Sequence, residues 1–231
     1  MNLVRYPVVE LRQYTLRPGQ RDVLIDLFDR EFVETQEVCG MTILGQFRDL
    51  DRPERFVWMR AFESMPARTE ALQRFYGGPV WKAHAAAANA TMVDVDDVLL
   101  LRPATPRPGF FLVGSRPTVG ARQPAGLILA TVCLLSEPVS PEFEAHFDHS
   151  VRPALTLAGG SPLACLSTEY AENTFPALPV RTGVHAFVWL TRLAGPAAIA
   201  DHCGRTRDVL AGLTGEIQHL RLAPTGRSWL R

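Results

Sequence analysis

Residues 54–62 read ERFVWMRAF, and residues 184–193 read VHAFVWLTRL. Each stretch is rich in β-branched and aromatic residues and reads as a strand. Side chains alternate across a strand, so one face of the first carries Phe56, Trp58, Arg60 and Phe62. The matching face of the second carries His185, Phe187, Trp189 and Thr191. The shared FVW core, at an offset of 131 residues, raises the question of whether the chain is written twice.

Three further matches lie in the same order along the chain. FDREFV (28–33) faces FDHSVR (147–152), and CGMTILG (39–45) faces AGGSPLA (158–164), both at an offset of 119. LLRPAT (100–105) then resembles LRLAPT (220–225). The changing offset locates the differences between the copies. The second gains a loop, STEYAENTFPALPVRTG (167–183), and has no full partner for FYGGPVWKAHAAAANATM (75–92).

Each copy reads β-α-β-β-α-β. VVELRQYTL (8–16) is a strand, and the following helix presents Val23, Leu24, Leu27, Phe28 and Phe32 on one face. MTILGQF and ERFVWMRAF form the next two strands, separated by the short polar RDLDRP. Ser64 is an N-cap signal for the second helix, and Gly77-Gly78 reads as its stop, with a left-handed glycine expected there. Pro79 then starts another helix, and DVLLLRP closes the unit. The second copy follows with GLILATVCLL, a helix over about 141–158, SPLACLS, the 184–193 strand, a helix over 196–212, and EIQHLRL. A β-α-β-β-α-β unit makes a four-stranded antiparallel sheet with its helices on one face, so the other face needs cover. Two copies supply it by closing sheet against sheet. The expectation is therefore an α+β chain of two ferredoxin-like units, residues 1–104 and 125–231, forming an internal dimeric α/β barrel. A Pro- and Gly-rich linker over 105–124 would join them, its FFLV (110–113) packed against the protein.

Composition narrows the function classes. Of 231 residues, 47% are hydrophobic and 21% charged, as in a folded globular chain. The 24 basic and 24 acidic residues balance, which gives no field for nucleic acid or an anionic membrane. Lys82 is the only lysine, a bias read as GC-rich bacterial coding. Cys39, Cys133, Cys165 and Cys203 are widely spaced, which suits buried thiols in a reducing compartment. The start of the chain breaks its apolar run with charges and does not read as a signal peptide. No stretch approaches the length of a membrane span, so a cytoplasmic protein is expected.

The stretches ELRQYTLRPG, RFVWMRAF, FYGGPVWKAH and ANATMVDVDDVLLLRP, with AENTFPALPVR and FVWL in the second copy, resemble the NIPSNAP family. The resemblance implies the ferredoxin-like, dimeric α/β barrel fold and no single activity. The wider barrel superfamily includes cofactor-free monooxygenases, polyketide cyclases, isomerases and haem enzymes, an analogy that licenses a pocket rather than a reaction. Ala85–Ala88 follow His84 where bacterial relatives carry charged or polar residues.

The candidate site residues follow from polarity out of place. Arg60 and His185 are polar on apolar strand faces beside Trp58 and Trp189, so each needs a partner or a ligand. His84 follows Trp81 by three residues and reads either as helix packing or as a site group. Asn173 and Arg181 sit in the added loop, stiffened by Pro176 and Pro179, as lid hydrogen bonds or ligand contacts. His146 replaces Leu27 in the repeat alignment and borders the stripe Phe143, Phe147, Val151 and Leu155. It is therefore the first acid–base candidate, with His185 next. His146 and His149 lie three residues apart without a third ligand, so no metal is expected. The expected function is cofactor-free acid–base chemistry on a hydrophobic, aromatic or polyketide-like substrate: cyclisation, isomerisation, elimination or oxygenation. A non-catalytic binding or scaffold protein is the alternative, a haem protein the third reading, and a homodimer stays open.

Overall fold

The computed structural model describes residues 6–104, 110, 114–213 and 215–231. The fold is mixed α and β, built around a closed antiparallel barrel of eight strands. The first half supplies β1 (Val8–Leu16), β2 (Thr42–Asp49), β3 (Arg55–Phe62) and β4 (Met92–Pro103). The second supplies β5 (Leu127–Leu135), β6 (Pro162–Thr168), β7 (His185–Leu193) and β8 (Glu216–Pro224). Around the barrel the order is β1-β3-β2-β8-β5-β7-β6-β4, so four neighbouring strands come from each half. The two seams are short. β2 meets β8 through Phe47 to Asp49, and β4 meets β6 through Leu101 to Pro103.

Strand parity sorts the side chains. Val9, Leu11, Val57, Met59, Ala186, Val188 and Leu190 point inward with residues of both halves and fill the barrel. Phe110 joins them, so this part of the FFLV segment is packed as expected; residues 111–113 and the unit boundary at 104–105 lie outside or against the edge of the described residues. Val8, Tyr14, Leu16, Phe56, Trp58 and Phe62 point outward and are covered by helices.

The helices are α1 (Arg21–Leu27), α2 (Val33–Val38), α3 (Met65–Gly77), α4 (Pro79–Thr91), α5 (Pro141–His146), α6 (Arg152–Leu157) and α7 (Pro196–Ala211). A single π-helical turn, Phe28–Phe32, joins α1 to α2, and another, Phe147–Val151, joins α5 to α6. In each, an i→i+5 bond closes the wider turn: Val33 N–H to the Phe28 carbonyl, and Arg152 N–H to that of Phe147. Ser64 caps α3 by accepting from the Ala67 N–H at 3.1 Å.

The break between α3 and α4 differs from the expectation. Neither Gly77 nor Gly78 has a positive φ; Gly78 is extended, at φ −79° and ψ 167°. Pro79 explains it, because a proline ring pushes the preceding residue out of the helical region. Gly78 is still required, for space: a Cβ there would stand 2.8 Å from the Arg74 carbonyl oxygen. Among the described residues, no helix is long and apolar enough to cross a membrane.

Candidate functional site

A cavity of about 390 Å³ lies between the outer face of the first-half strands and their helices. Tyr14, Trp58, Met92 and Val95 form its floor. The π turn contributes Phe28 and Phe32, and the flanking helices add Leu24, Gln36, Phe75, Tyr76, Trp81 and Asn89. Its last wall, Phe175, Ala177 and Leu178, comes from the loop between β6 and β7 in the other half. The aromatic rings interlock edge to face, with centroids 4.9 Å apart for Phe28 and Trp58 and 5.8 Å for Tyr14 and Trp58. Tyr76 touches Trp81 at 4.8 Å and Phe175 at 6.0 Å, so the loop closes on the helices through ring contacts.

Hydrogen bonds stitch that loop in place. Asn173 Oδ1 accepts from Arg68 Nη1 at 3.0 Å, and its Nδ2 donates to the Leu178 carbonyl at 2.9 Å. Thr69 and Thr174 join their hydroxyls across the same gap. The Arg181 N–H donates to the Val98 carbonyl, and its guanidinium reaches Asp97 at 3.4 Å. Asn173 and Arg181 therefore hold the loop to the first half and do not line the cavity.

Beside the floor, on the same outer face of the sheet, is a buried ionic cluster. Glu10 accepts from Arg12 Nη1 at 2.8 Å, Arg60 Nε at 2.7 Å and Arg68 Nε at 2.6 Å, all four side chains being fully buried. Burial pushes the Glu10 carboxyl up, but the guanidiniums of Arg60, Arg12 and Arg68 outweigh it and hold the group well below the usual carboxylate range. One carboxylate faces three guanidiniums, which leaves two positive charges in excess within the cluster. Nη2 of Arg12, of Arg60 and of Arg68 each has no partner among the described residues. The cluster reaches the cavity through shared side chains. Arg12 Nε donates to Tyr14 Oη at 3.0 Å, and Arg60 Nη1 to Gln36 Oε1 at 3.1 Å. The Arg12 and Arg60 guanidiniums lie 5.7 and 5.0 Å from the Trp58 ring centroid. Burial pushes the Tyr14 phenol above its ordinary pKa despite the pull of Arg12, so it is protonated at neutral pH.

Among the described residues, the matching strands of the second half hold no such ionic cluster. Strand pairing sets Leu129 opposite Thr191 as Glu10 stands opposite Arg60, and Thr131 opposite Trp189 as Arg12 stands opposite Trp58. Trp189 is buried under Phe147, with centroids 5.2 Å apart, and Phe147 also covers Phe187 at 4.7 Å. Trp189 is therefore core, in a space filled by its own neighbours.

The histidines lie elsewhere. His146 is exposed, which corrects the expectation of an inner-edge position. In the first half α4 packs against α1, where Leu27 is buried; the second half has no counterpart of α4 among the described residues, and that flank is open. His185 is half-buried at the start of β7, its Nδ1 2.8 Å from Tyr170 Oη. His84 stands beside the cavity, its ring 6.3 Å from that of Phe32 and its Nε2 3.6 Å from Glu31. None of the three lines the cavity, so its donor set does not suit a haem with an axial histidine. Among the described residues, no three metal-capable side chains converge. Of the residues singled out from sequence, the structure brings together Trp58 on the floor and Arg60 beside it. Tyr14, Tyr76 and Glu10 were missed, although Glu10, Arg12 and Tyr14 alternate along one strand and so share a face.

Residues 9–106 match the family model NIPSNAP. Three solved structures resemble the whole chain. A candidate monooxygenase from Lactobacillus acidophilus has a TM-score of 0.53 at 14% identity, covering 95% of this chain and 94% of that one. Another candidate monooxygenase, from Fusobacterium nucleatum, has a TM-score of 0.55 at 8% identity, with 95% and 93% covered. An anthrone oxidase-like protein has a TM-score of 0.55 at 13% identity, with 97% and 94% covered. At such identities the likeness is one of fold. No curated protein matches the sequence.

Proposed function

We propose that this chain, whose residues 9–106 are a NIPSNAP domain, is a small-molecule enzyme that takes a hydrophobic, aromatic or polyketide-like substrate into the first-half cavity. The observation that carries the reading is the cavity itself. About 390 Å³ falls in the range of ligand pockets, roughly 300–1,000 Å³, and its walls are aromatic with a few polar groups, Tyr14, Gln36, Trp58 and Asn89. The chemistry proposed is cofactor-free proton transfer on an activated substrate, giving cyclisation, isomerisation or elimination, or, with dioxygen as co-substrate and oxidant, oxygenation. Tyr14, polarised by Arg12, is the proton donor nearest at hand, and Asn89 a second hydrogen-bonding group. His146 and His185 lack a place at this cavity, so the acid–base role passes to Tyr14. The fold shared with the anthrone oxidase-like protein supports a fused-ring aromatic as the first substrate to try.

The same reading takes the barrel as two ferredoxin-like units, 1–104 and 125–231, closed on each other as an internal dimeric α/β barrel. Support comes from the four-and-four strand order and from the π turns, which fall on the matching stretches FDREF and FDHSV. Such an arrangement completes the barrel within one chain.

Trp58 and Trp81 report on the cavity, so anthrone and naphthol titrations followed by tryptophan fluorescence test it. Binding is expected in the wild type and not in Leu24→Trp, which fills the space. Conversion of a bound ligand, lost in Tyr14→Phe with binding retained, supports the enzyme. Binding without conversion of any ligand favours the runner-up, a binding protein, and no binding at all overturns the site.

A further inference from the structure

The cationic cluster beside the cavity floor has more donors than the protein uses. Tyr14 Oη accepts from Arg12 Nε, which leaves the phenol's own hydrogen without an acceptor among the described residues. Trp58 is 2% exposed, and its Nε1–H likewise has no partner among them. Both residues line the cavity, and both rings lie against the Arg12 guanidinium, at 5.4 Å for Tyr14 and 5.7 Å for Trp58. Unsatisfied buried donors and uncompensated buried cations are costly, and an anion in the cavity would relieve both. The register comparison sharpens the point. At the matching place in the second half, where Phe147 covers Trp189, the positions of Glu10, Arg12, Tyr14 and Arg60 are taken by Leu129, Thr131, Cys133 and Thr191; the cavity of that half, about 440 Å³, lies instead against α7 and β8.

We infer that the ligand is an aromatic oxyanion, a flat molecule whose charge sits on a phenolate, enolate or carboxylate oxygen, received by Tyr14 Oη–H and Trp58 Nε1–H beside the Arg12–Glu10–Arg60–Arg68 cluster. The inference rests on the cavity being the small-molecule site proposed above, and adds the charge of what it takes. The aromatic walls hold the ring system, and the two donors fix which edge points to the floor. Ground-state binding of the anion and stabilisation of an enolate formed in the cavity draw on the same donors.

Calorimetric titration with 2-naphthoate and its uncharged isostere 2-naphthamide at pH 7.5 separates charge from shape. Naphthoate is expected to bind about tenfold to a hundredfold more tightly, as for hydrogen bonds to a charged group. Tyr14→Phe keeps its ring and removes one donor, so it should cut that preference by about tenfold while naphthamide affinity holds. Trp58→Phe removes the other donor along with part of the ring system, so both affinities should fall, but the ratio between them should again drop by about tenfold. Equal affinity of the two probes overturns the inference and leaves the cavity a small-molecule site. Full preference retained in both variants overturns the assignment of the donors. Binding of neither probe overturns the inference together with the reading of the cavity.

Discussion

Replacing Glu10 by glutamine should destabilise the whole fold. The carboxylate is the common acceptor for Arg12, Arg60 and Arg68, and all of these side chains are fully buried. Glutamine keeps one oxygen but removes the charge, and points its amide hydrogens at guanidinium donors. Three buried cations would then share no counter-charge. Removing one partner of a buried ion pair costs about 3–5 kcal/mol, a large part of the ~5–15 kcal/mol that stabilises a typical domain. For a chain of this size that corresponds to a fall of roughly 6–20 °C in Tm. Urea and thermal unfolding of the wild type, Glu10→Gln, Arg60→Gln and the double variant give the assay. The double variant should lose less than the sum of the singles, because Arg60→Gln removes one of the stranded charges. The pH dependence follows from the depressed carboxyl. Its stabilisation is complete above its unfolded pKa, 4.5, and is lost progressively as pH falls below that toward the lower folded value. The gap between wild type and Glu10→Gln should therefore narrow on acidification. A Glu10→Gln protein within about 1 kcal/mol of the wild type at pH 7 would refute the reasoning, since that is the worth of an exposed pair.

Gly77 and Gly78 should respond oppositely to alanine. Gly77 ends α3 with open space around its missing Cβ, so Gly77→Ala should stabilise by up to about 1 kcal/mol, whereas Gly78→Ala meets the Arg74 carbonyl and should lower Tm. Matching Tm shifts for the two would contradict the geometry. Asp29 accepts from Gln46 Nε2 at 2.7 Å, and burial, helped by Asp26, pushes its carboxyl up to about 6 against the pull of Arg227 and Arg48. Its contribution is present below the unfolded value of 3.8 and lost as pH rises through about 6, so Asp29→Asn should gain on the wild type between those pH values. Parallel Tm–pH curves would remove Asp29 from the account.

The strands were readable because their signal is local. In RFVWMRAF the parity of Phe56, Trp58, Arg60 and Phe62 alone states which residues face the helices. The same parity marked Arg60 as needing a partner but could not name Glu10, which lies 50 residues away and meets it only across paired strands. The absence of a second-half partner for FYGGPVWKAHAAAANATM was also legible, and it corresponds to the absence of a second α4 among the described residues. Its consequence, an open flank around His146, was not, because burial there depends on a neighbour rather than on the helix's own periodicity. The π turns left no trace: a switch from i→i+4 to i→i+5 bonding has no residue signature in FDREF or FDHSV. At Gly78 two local rules competed, and the steric demand of Pro79 on its predecessor prevailed over the left-handed helix stop.

The last wall of the cavity has an implication for biosynthesis. Phe175, Ala177 and Leu178 leave the ribosome about eighty residues after Val95, the last residue of the floor. At ordinary elongation rates of ~5–20 residues per second, the aromatic surface of the first half waits roughly 4–16 s for its cover. β2 waits longer still for β8, its seam partner at the far end of the chain. During that interval a nascent first half carries an uncovered ring cluster and two unpaired strand edges, a surface that invites chaperones or a neighbouring nascent chain. Slowing translation between residues 104 and 168 should therefore lower the yield of native protein more than slowing it after residue 193, when the loop that covers the rings has been made and, of the strands described, β8 alone is still to come.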